Sequence, residues 1–316
     1  MKFRSWLIVP GVSEERLGAA FGTGADVVVV DLADTVPHES KARARELGKA
    51  WLAAHRTNLF GNRGMSRWVR INALDSGYSR DDLAGVMAGA PDGIILPRAA
   101  GPEAVQHLAS EIYELEQHFA LPASSTRIMP VVGETPLAAM RIAAYFDAAH
   151  QRLCGLTWSE TGLAASLGAA DPGIIGPCEG QDGRSDASRF VRAQTLLTAH
   201  AAHVISIEAP FADPGDGAGI KGAAQRARAD GFTGMFAVHP QQVEVINAAF
   251  TPGAAEIEKA QEIVAAFETN PHAVSLPLHG RTIERADLAR AQRVIHLAET
   301  EIHGNDAGLR SILRPA

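Results

Sequence analysis

The stretch Val27–Ser40 reads VVVVDLADTVPHES. Four consecutive valines are too apolar for a strand with one wet face and read as a strand buried on both sides, as in parallel sheets. Two acids, Asp31 and Asp34, follow at once. A strand that ends in carboxylates is expected where strand ends face a ligand or a counter-charge. Other short runs repeat the pattern: SWLIV, RWVRIN, DGIILP, RIMPVV, RLCGLTW, HVISIEA and GMFAVH. Longer amphipathic stretches separate them, among them SEERLGAAFGTG, HESKARARELGKAWLAAHR and GPEAVQHLASEIYELEQHF, several opening on Ser or Gly-Pro start signals. Eight strands alternating with helices predict an α/β fold, a TIM (β/α)8 barrel. An open doubly wound sheet is the rival arrangement.

Beyond the eighth strand, helical patterns run over 241–250 and 254–267. A Pro-rich link, NPHAVSLPLHG, then leads to a last helix near 287–303. The expected organisation is a barrel domain over 1–270 and a helical C-terminal extension over 271–316, an arm that contacts a neighbouring subunit.

Composition narrows the function classes. The chain has 316 residues, 46% hydrophobic and 21% charged, with a net charge of −7, which argues against a nucleic-acid partner, because that needs a basic face. No run approaches the roughly 18 apolar residues of a membrane helix, and no membrane partner is expected. The only cysteines, Cys154 and Cys178, fit neither metal spacing nor a disulfide framework, and MKFRSWLIVPG is too short and broken for a secretion signal, so a cytoplasmic location is expected.

In such barrels catalytic groups cluster at the C-terminal strand ends. The expected rim holds Asp31 and Asp34 after strand two, Arg70 after strand three and Pro97 with Arg98 after strand four. Glu134 follows strand five, Trp158, Ser159 and Glu160 strand six, Glu208 strand seven and His239 strand eight. Each has a bland alternative, such as a helix cap, a rim salt bridge or a structural histidine. Acids converging on one mouth repel unless a cation sits among them. Mg²⁺ is the natural candidate, since it takes one or two carboxylates and leaves other positions to water and substrate. An Arg beside it suits an anion. The glycine-rich PGDGAGIKG after strand seven matches no phosphate-loop spacing and reads as a plain turn. No H-x-x-x-H pair suggests zinc.

Ordered along the chain, RSWLIVPG, DVVVVDLADTV, RIN, ILPRA, ETPLA, GLTWSETGLAASLGA, the GDGAGIKGAAQRARADGFTGMFAVHPQQVEVIN block and FTPGAAEIEKAQEIV resemble the citrate lyase beta-subunit-like family. That family lies within the HpcH/HpaI aldolase superfamily, with malyl-CoA and citramalyl-CoA lyases as relatives. The resemblance implies a TIM barrel assembled as a homotrimer or higher homo-oligomer. It also implies Mg²⁺-dependent Claisen-type cleavage of a 3-hydroxyacyl thioester carried on CoA or an acyl carrier protein.

By the same resemblance, Arg70 binds substrate and Glu134 binds both metal and substrate. Glu284, donated by a neighbouring chain, takes the place of the acid/base, while from their rim positions Pro97 and Arg98 are expected to line the substrate and Asp34 to orient metal-bound water or Arg70 in catalysis. The chain departs from the family pattern at several places. Ala33 stands for a glutamate, Ser159 for a glycine, Gly162 for the second metal-binding aspartate and Glu284 for an aspartate, which leaves Glu160 as the second metal carboxylate. A thioesterase, a non-CoA oxo-acid aldolase and a non-catalytic binding subunit are the alternatives.

Overall fold

Side chains alternate across a strand, so the four valines point two ways. Val27 and Val29 join Trp6, Trp68, Ile95, Met129, Ile205 and Phe236 in one buried cluster, while Val28 and Val30 join a larger one with Leu52, Val86, Ile94 and Leu108. The first fills the inside of a barrel and the second glues its outside to the helices. The computed structural model describes residues 2–56, 64–169 and 184–303; Cys178 and the last part of the expected arm lie outside them.

The strands β1 (Ser5–Pro10), β2 (Val27–Asp31), β3 (Ser66–Arg70), β4 (Gly93–Leu96), β5 (Arg127–Val132), β6 (Gly155–Trp158), β7 (Ile205–Glu208) and β8 (Gly234–Ala237) form a closed barrel in sequence order. Every pairing is parallel, and Ser5–Leu7 closes the ring against Met235–Ala237. The TIM barrel expected from the strand count is therefore the fold. Around it run α1 (Glu14–Ala20), α2 (Lys41–Ala54), α3 (Ser79–Val86), α4 (Pro102–His118), the short α5 (Pro136–Met140) and α6 (Ala144–Asp147), α7 (Glu160–Leu167), α8 (Asp186–Ala201) and α9 (Gly217–Asp230).

Aromatic rings plug the interior. Trp6 lies edge-on to Trp68 and Phe236, with centroids 5.0 and 5.8 Å apart. A Cβ on Gly93 would stand 2.4 Å from the Trp68 ring, so β4 opens on a residue with no side chain. At the N-terminal end of the barrel, Arg152 and Glu116 form a bidentate pair, 2.8 and 2.7 Å, with both side chains at most 3% exposed. Ser124 and Thr126 donate backbone N–H groups to the same carboxylate. This face of a TIM barrel carries stability rather than chemistry.

The C-terminal region continues as α10 (Pro240–Phe250) and α11 (Ala254–Thr269), then departs from the expected simple link. Within NPHAVSLPLHG the segment Ser275–Leu278 (β9) pairs antiparallel with Arg281–Glu284 (β10), and α12 (Arg285–His303) follows. His279 and Gly280 make the two-residue turn with φ of +48° and +77°, the left-handed pair that matches the twist of a tight hairpin. Pro277 masked the strand pattern in the sequence. The hairpin packs on α11 and α12.

Candidate active site

Asp31 answers for the acid that ends the valine run. It shares inward parity with Val27 and Val29 and pairs in register with Arg70 on β3. Arg70 grips it with Nε to Oδ1 at 2.7 Å and one terminal nitrogen to Oδ2 at 2.8 Å. Ala33 and Thr35 complete the cage around a carboxylate that is 0% exposed. Burial works to raise its pKa, but the hydrogen bonds and charge of Arg70 outweigh it and hold Asp31 below the usual range. The same pairing raises Arg70 against the effect of its own burial. The other terminal nitrogen of Arg70 meets Asp34 at 3.2 Å, and Asp34 is 83% exposed. The guanidinium is thus anchored below and still bears N–H groups toward the mouth. Replacing Asp31 by Asn leaves a cation short of its buried partner and is expected to cost about 3 kcal/mol, the low end for broken buried pairs because Asp34 remains; urea denaturation checks it.

A second clamp holds the loops. Lys41 is almost fully buried, and its ammonium donates to Leu32 O, Ala33 O and Asn72 Oδ1 at 2.7–2.8 Å. Asn72 in turn donates to Leu32 O and Asp82, and Arg45 completes Asp82. Burial lowers the pKa of Lys41. All three ammonium protons are spent on holding the loops after β2 and β3, so Asp34 and Arg70 keep their relative places.

Glu134 follows β5 through Gly133, whose φ of +75° turns the chain. Its Oε2 accepts the backbone N–H of Arg98, presented by a left-handed residue with φ of +52° that directly follows Pro97. The Arg98 side chain is exposed and lies 3.6 Å from Asp75. Burial raises the pKa of Glu134; the Arg98 N–H and the Arg70 charge oppose it, and Asp34 adds to it. The carboxylate therefore sits in a place where a cation would relieve it. Asp34, Arg70, Pro97, Arg98 and Glu134 form one contiguous rim from β2 to β5.

After β6, Ser159 caps α7 by accepting the Gly162 N–H. A Cβ on Gly162 would stand 2.9 Å from Glu134 Oε1 and 3.0 Å from Ser159 Oγ. Gly162 thus leaves the space that Glu134 uses. Glu160 begins α7. Its Oε2 accepts from Arg184 Nε at 3.3 Å, while its Oε1 is buried without a hydrogen bond. Arg184 also lies 3.8 Å from Glu208 and 5.5 Å above the Trp158 ring.

Other expected rim residues turn out to be structural. Glu208 is 1% exposed and saturated by Arg192 at 2.5 Å, Trp158 Nε1 at 2.8 Å and Ala209 N–H at 3.0 Å. It has the opposite parity to the inward Ile207, and faces α8 rather than the mouth. His239 caps α10 in a capping box with Gln242. In PGDGAGIKG, Asp216 caps α9 by accepting Gly219 N–H at 2.8 Å, so the anion at that helix start belongs to the chain itself. Glu284 lies exposed on the hairpin, its backbone N–H bonded to Asp287 Oδ2 at 2.8 Å. A cavity of about 810 Å³ opens at the far end of the barrel, bordered by Arg4, Arg228, Arg290 and Arg293. Three of these arginines are held by Asp26, Glu256 and Asp287. It lies away from the strand ends where barrel chemistry occurs.

The sequence reading missed Arg184 and Lys41; it held a rim salt bridge as an alternative for Asp31 without naming Arg70 as the partner. Strand parity could have found Asp31. Nothing local connects Arg184 to Glu160.

The residues from Arg4 to Pro240 match the sequence pattern of HpcH/HpaI aldolase/citrate lyase enzymes, and the match spans the whole barrel. The chain belongs to the HpcH/HpaI aldolase/citrate lyase family. This family member is therefore a TIM-barrel enzyme of a carbon–carbon lyase family. It is 30% identical over 260 residues to a (3S)-malyl-CoA thioesterase of Cereibacter sphaeroides, covering 79% of this chain and 78% of that one. It is 28% identical over 263 residues to an L-malyl-CoA/beta-methylmalyl-CoA lyase of the same species, covering 79% of each. Its fold matches a Mycobacterium tuberculosis protein, CitE, solved with magnesium, acetoacetate and coenzyme A, at a TM-score of 0.72 and 25% identity, over 94% of this chain and 98% of that one.

Among the described residues, no group of three or more His, Cys, Asp or Glu side chains forms a ready metal cage. Mg²⁺ does not need one, because it keeps several waters and takes one or two carboxylates. Glu134, buried at the mouth and accepting only the Arg98 N–H among the described residues, is a carboxylate that suits that requirement; Glu160 Oε1, on the first residue of α7, is buried without a hydrogen bond.

Proposed function

We propose that this enzyme is a Mg²⁺-dependent carbon–carbon lyase acting on a 3-hydroxyacyl thioester of the citryl, malyl or citramalyl type. The observation that carries the reading is Arg70, anchored on Asp31 with N–H groups left toward the mouth, beside a buried Glu134 that accepts the Arg98 N–H. In the reaction the C2–C3 bond breaks. The 3-hydroxyl gives up its proton, the oxo acid leaves, and the thioester enolate takes a proton at carbon.

Glu134 and Glu160 would hold the ion, which when bound supplies Lewis-acid polarisation of the substrate oxygens. Arg70 clamps the substrate carboxylate and supports negative charge on the enolate oxygen through fixed N–H donors. Asp34 orients Arg70 from the solvent side. Pro97 and Arg98 border the substrate next to Glu134. Glu284, brought by the arm of a neighbouring subunit in a homotrimer or larger homo-oligomer, serves as acid/base. The arm is taken as residues 271–316 beyond a catalytic barrel of 1–270. The thioester carrier is CoA or an acyl carrier protein, and the compartment is the cytoplasm.

A second reading, thioester hydrolysis on the same barrel, is favoured by the 30% identity to a malyl-CoA thioesterase. Incubation with malyl-CoA or citramalyl-CoA and Mg²⁺ separates the two. Acetyl-CoA released without free thiol is the expected result. Free thiol without acetyl-CoA would establish the hydrolase, and neither product would overturn both.

A further inference from the structure

The cavity of about 810 Å³ at the far end of the barrel is walled by three parts of the chain. Phe3 and Arg4 lead into β1, and Phe232 and Thr233 lead into β8. The last turns of α9 and the turn from α10 to α11 form the sides. The lid is α12, which contributes Arg290, Arg293, Val294 and Leu297. Steps of three or four residues put these four on one face of the helix.

The charges on that wall are not equally occupied. Arg4 is spent: Asp26 takes two of its nitrogens and Thr251 the third. Arg290 is tied to Asp287, and Asp230 to Arg192 on α8. Arg228 on α9 donates one terminal nitrogen to Glu256 at 2.6 Å, and among the described residues its other nitrogens meet no acceptor. Arg293 meets no partner among the described residues. Two guanidinium groups, one from each of two helices, thus border the same space with N–H groups to spare. Like charges across a cavity repel unless an anion comes between them. Phe232, Phe250, Val294 and Leu297 make much of the rest of the lining apolar.

We propose that this cavity binds a small organic anion with an apolar body. Its carboxylate or phosphate lies between Arg228 and Arg293, and its body rests on Phe232, Phe250, Val294 and Leu297. The volume falls within the roughly 300–1,000 Å³ of ligand pockets. The site is remote from the barrel mouth, so the inference stands whether or not the lyase reading does. Because α12 forms one wall and the barrel the other, the ligand ties the C-terminal helix to the barrel.

The test titrates the full-length protein with anilinonaphthalene sulfonate, an aromatic anion that fluoresces in apolar sites. Wild type is expected to bind it at a site from which phenyl phosphate displaces it about tenfold more effectively than inorganic phosphate, since the bare ion lacks the apolar body. Arg228→Gln and Arg293→Gln are each expected to weaken binding about three- to tenfold, the loss of one partly exposed charged contact. Arg293 has no partner among the described residues to lose, so its variant should fold as wild type does and keep the test decisive. Arg293→Lys should recover part of the loss, and rising salt should weaken binding in wild type. Equal affinity of wild type and the double Gln variant would overturn the site, as would a wild type from which phenyl phosphate displaces nothing. Equal competition by inorganic and phenyl phosphate would overturn the apolar part and with it the ligand class.

Discussion

Glu134→Gln is expected to lower kcat/KM for metal-dependent C–C cleavage by about two to three orders of magnitude, the usual loss when one preorganised charge contact is removed from a reacting centre. The fold should survive. The recorded hydrogen bond to this side chain comes from Arg98 N–H, and a glutamine oxygen accepts it equally well. The metal-free variant should be at least as stable as wild type at neutral pH. Burial raises the pKa of Glu134, so its charged form costs folding free energy above that pKa, and Gln carries no such cost.

The same shift sets the sign of a pH effect. In the proposed mechanism the ion needs the carboxylate, and the proton competes for it from a pH above the ordinary glutamate value of 4.5. Mg²⁺ affinity should therefore weaken on acidification earlier than an exposed glutamate would cause, with proton release on binding. Calorimetry in buffers of different ionisation enthalpy reads that release. Full activity in the Gln variant would remove Glu134 from the chemistry.

The largest stability effect is expected at the opposite end of the barrel. Arg152→Met leaves Glu116 fully buried with only the Ser124 and Thr126 N–H groups. Breaking a buried pair from one side costs about 3–5 kcal/mol, measurable by urea denaturation. Adding Glu116→Leu should recover much of the loss, because no unpaired charge is then left inside. Burial works to raise the pKa of Glu116, but Arg152 and the backbone N–H groups outweigh it and the net shift is downward. Its contribution is thus present above about pH 4.5, the unfolded-chain value for glutamate, and is lost as pH falls through the lower folded pKa. Asp31, lowered by Arg70, adds a loss of the same sign in acid. Wild type should lose stability more steeply below pH 4.5 than Arg152→Met.

The barrel was legible because its strands are buried on both faces. Runs such as VVVVD and GIIL can sit only in a covered parallel sheet, and their alternation with amphipathic stretches leaves few topologies. The rim positions of Asp34, Arg70, Pro97, Arg98 and Glu134 were legible for the same reason, since each ends such a run or follows it within three residues. The hairpin at 275–284 was not, because Pro277 and the exposed faces of β9 removed the apolar signal. Glu208 misled: it ends β7 as a catalytic acid would, but faces α8.

The order of apolar runs, with a polar group at each end, determined by itself the barrel and the face that carries chemistry. Local spacing sufficed because a strand and the loop after it are set by neighbouring residues. Which charges meet was decided only by the tertiary structure. Asp31 with Arg70, Glu116 with Arg152, and Arg184 with Glu160 are 39, 36 and 24 residues apart. Such pairs form only when barrel closure brings distant strands together and burial makes an unpaired charge too costly to keep.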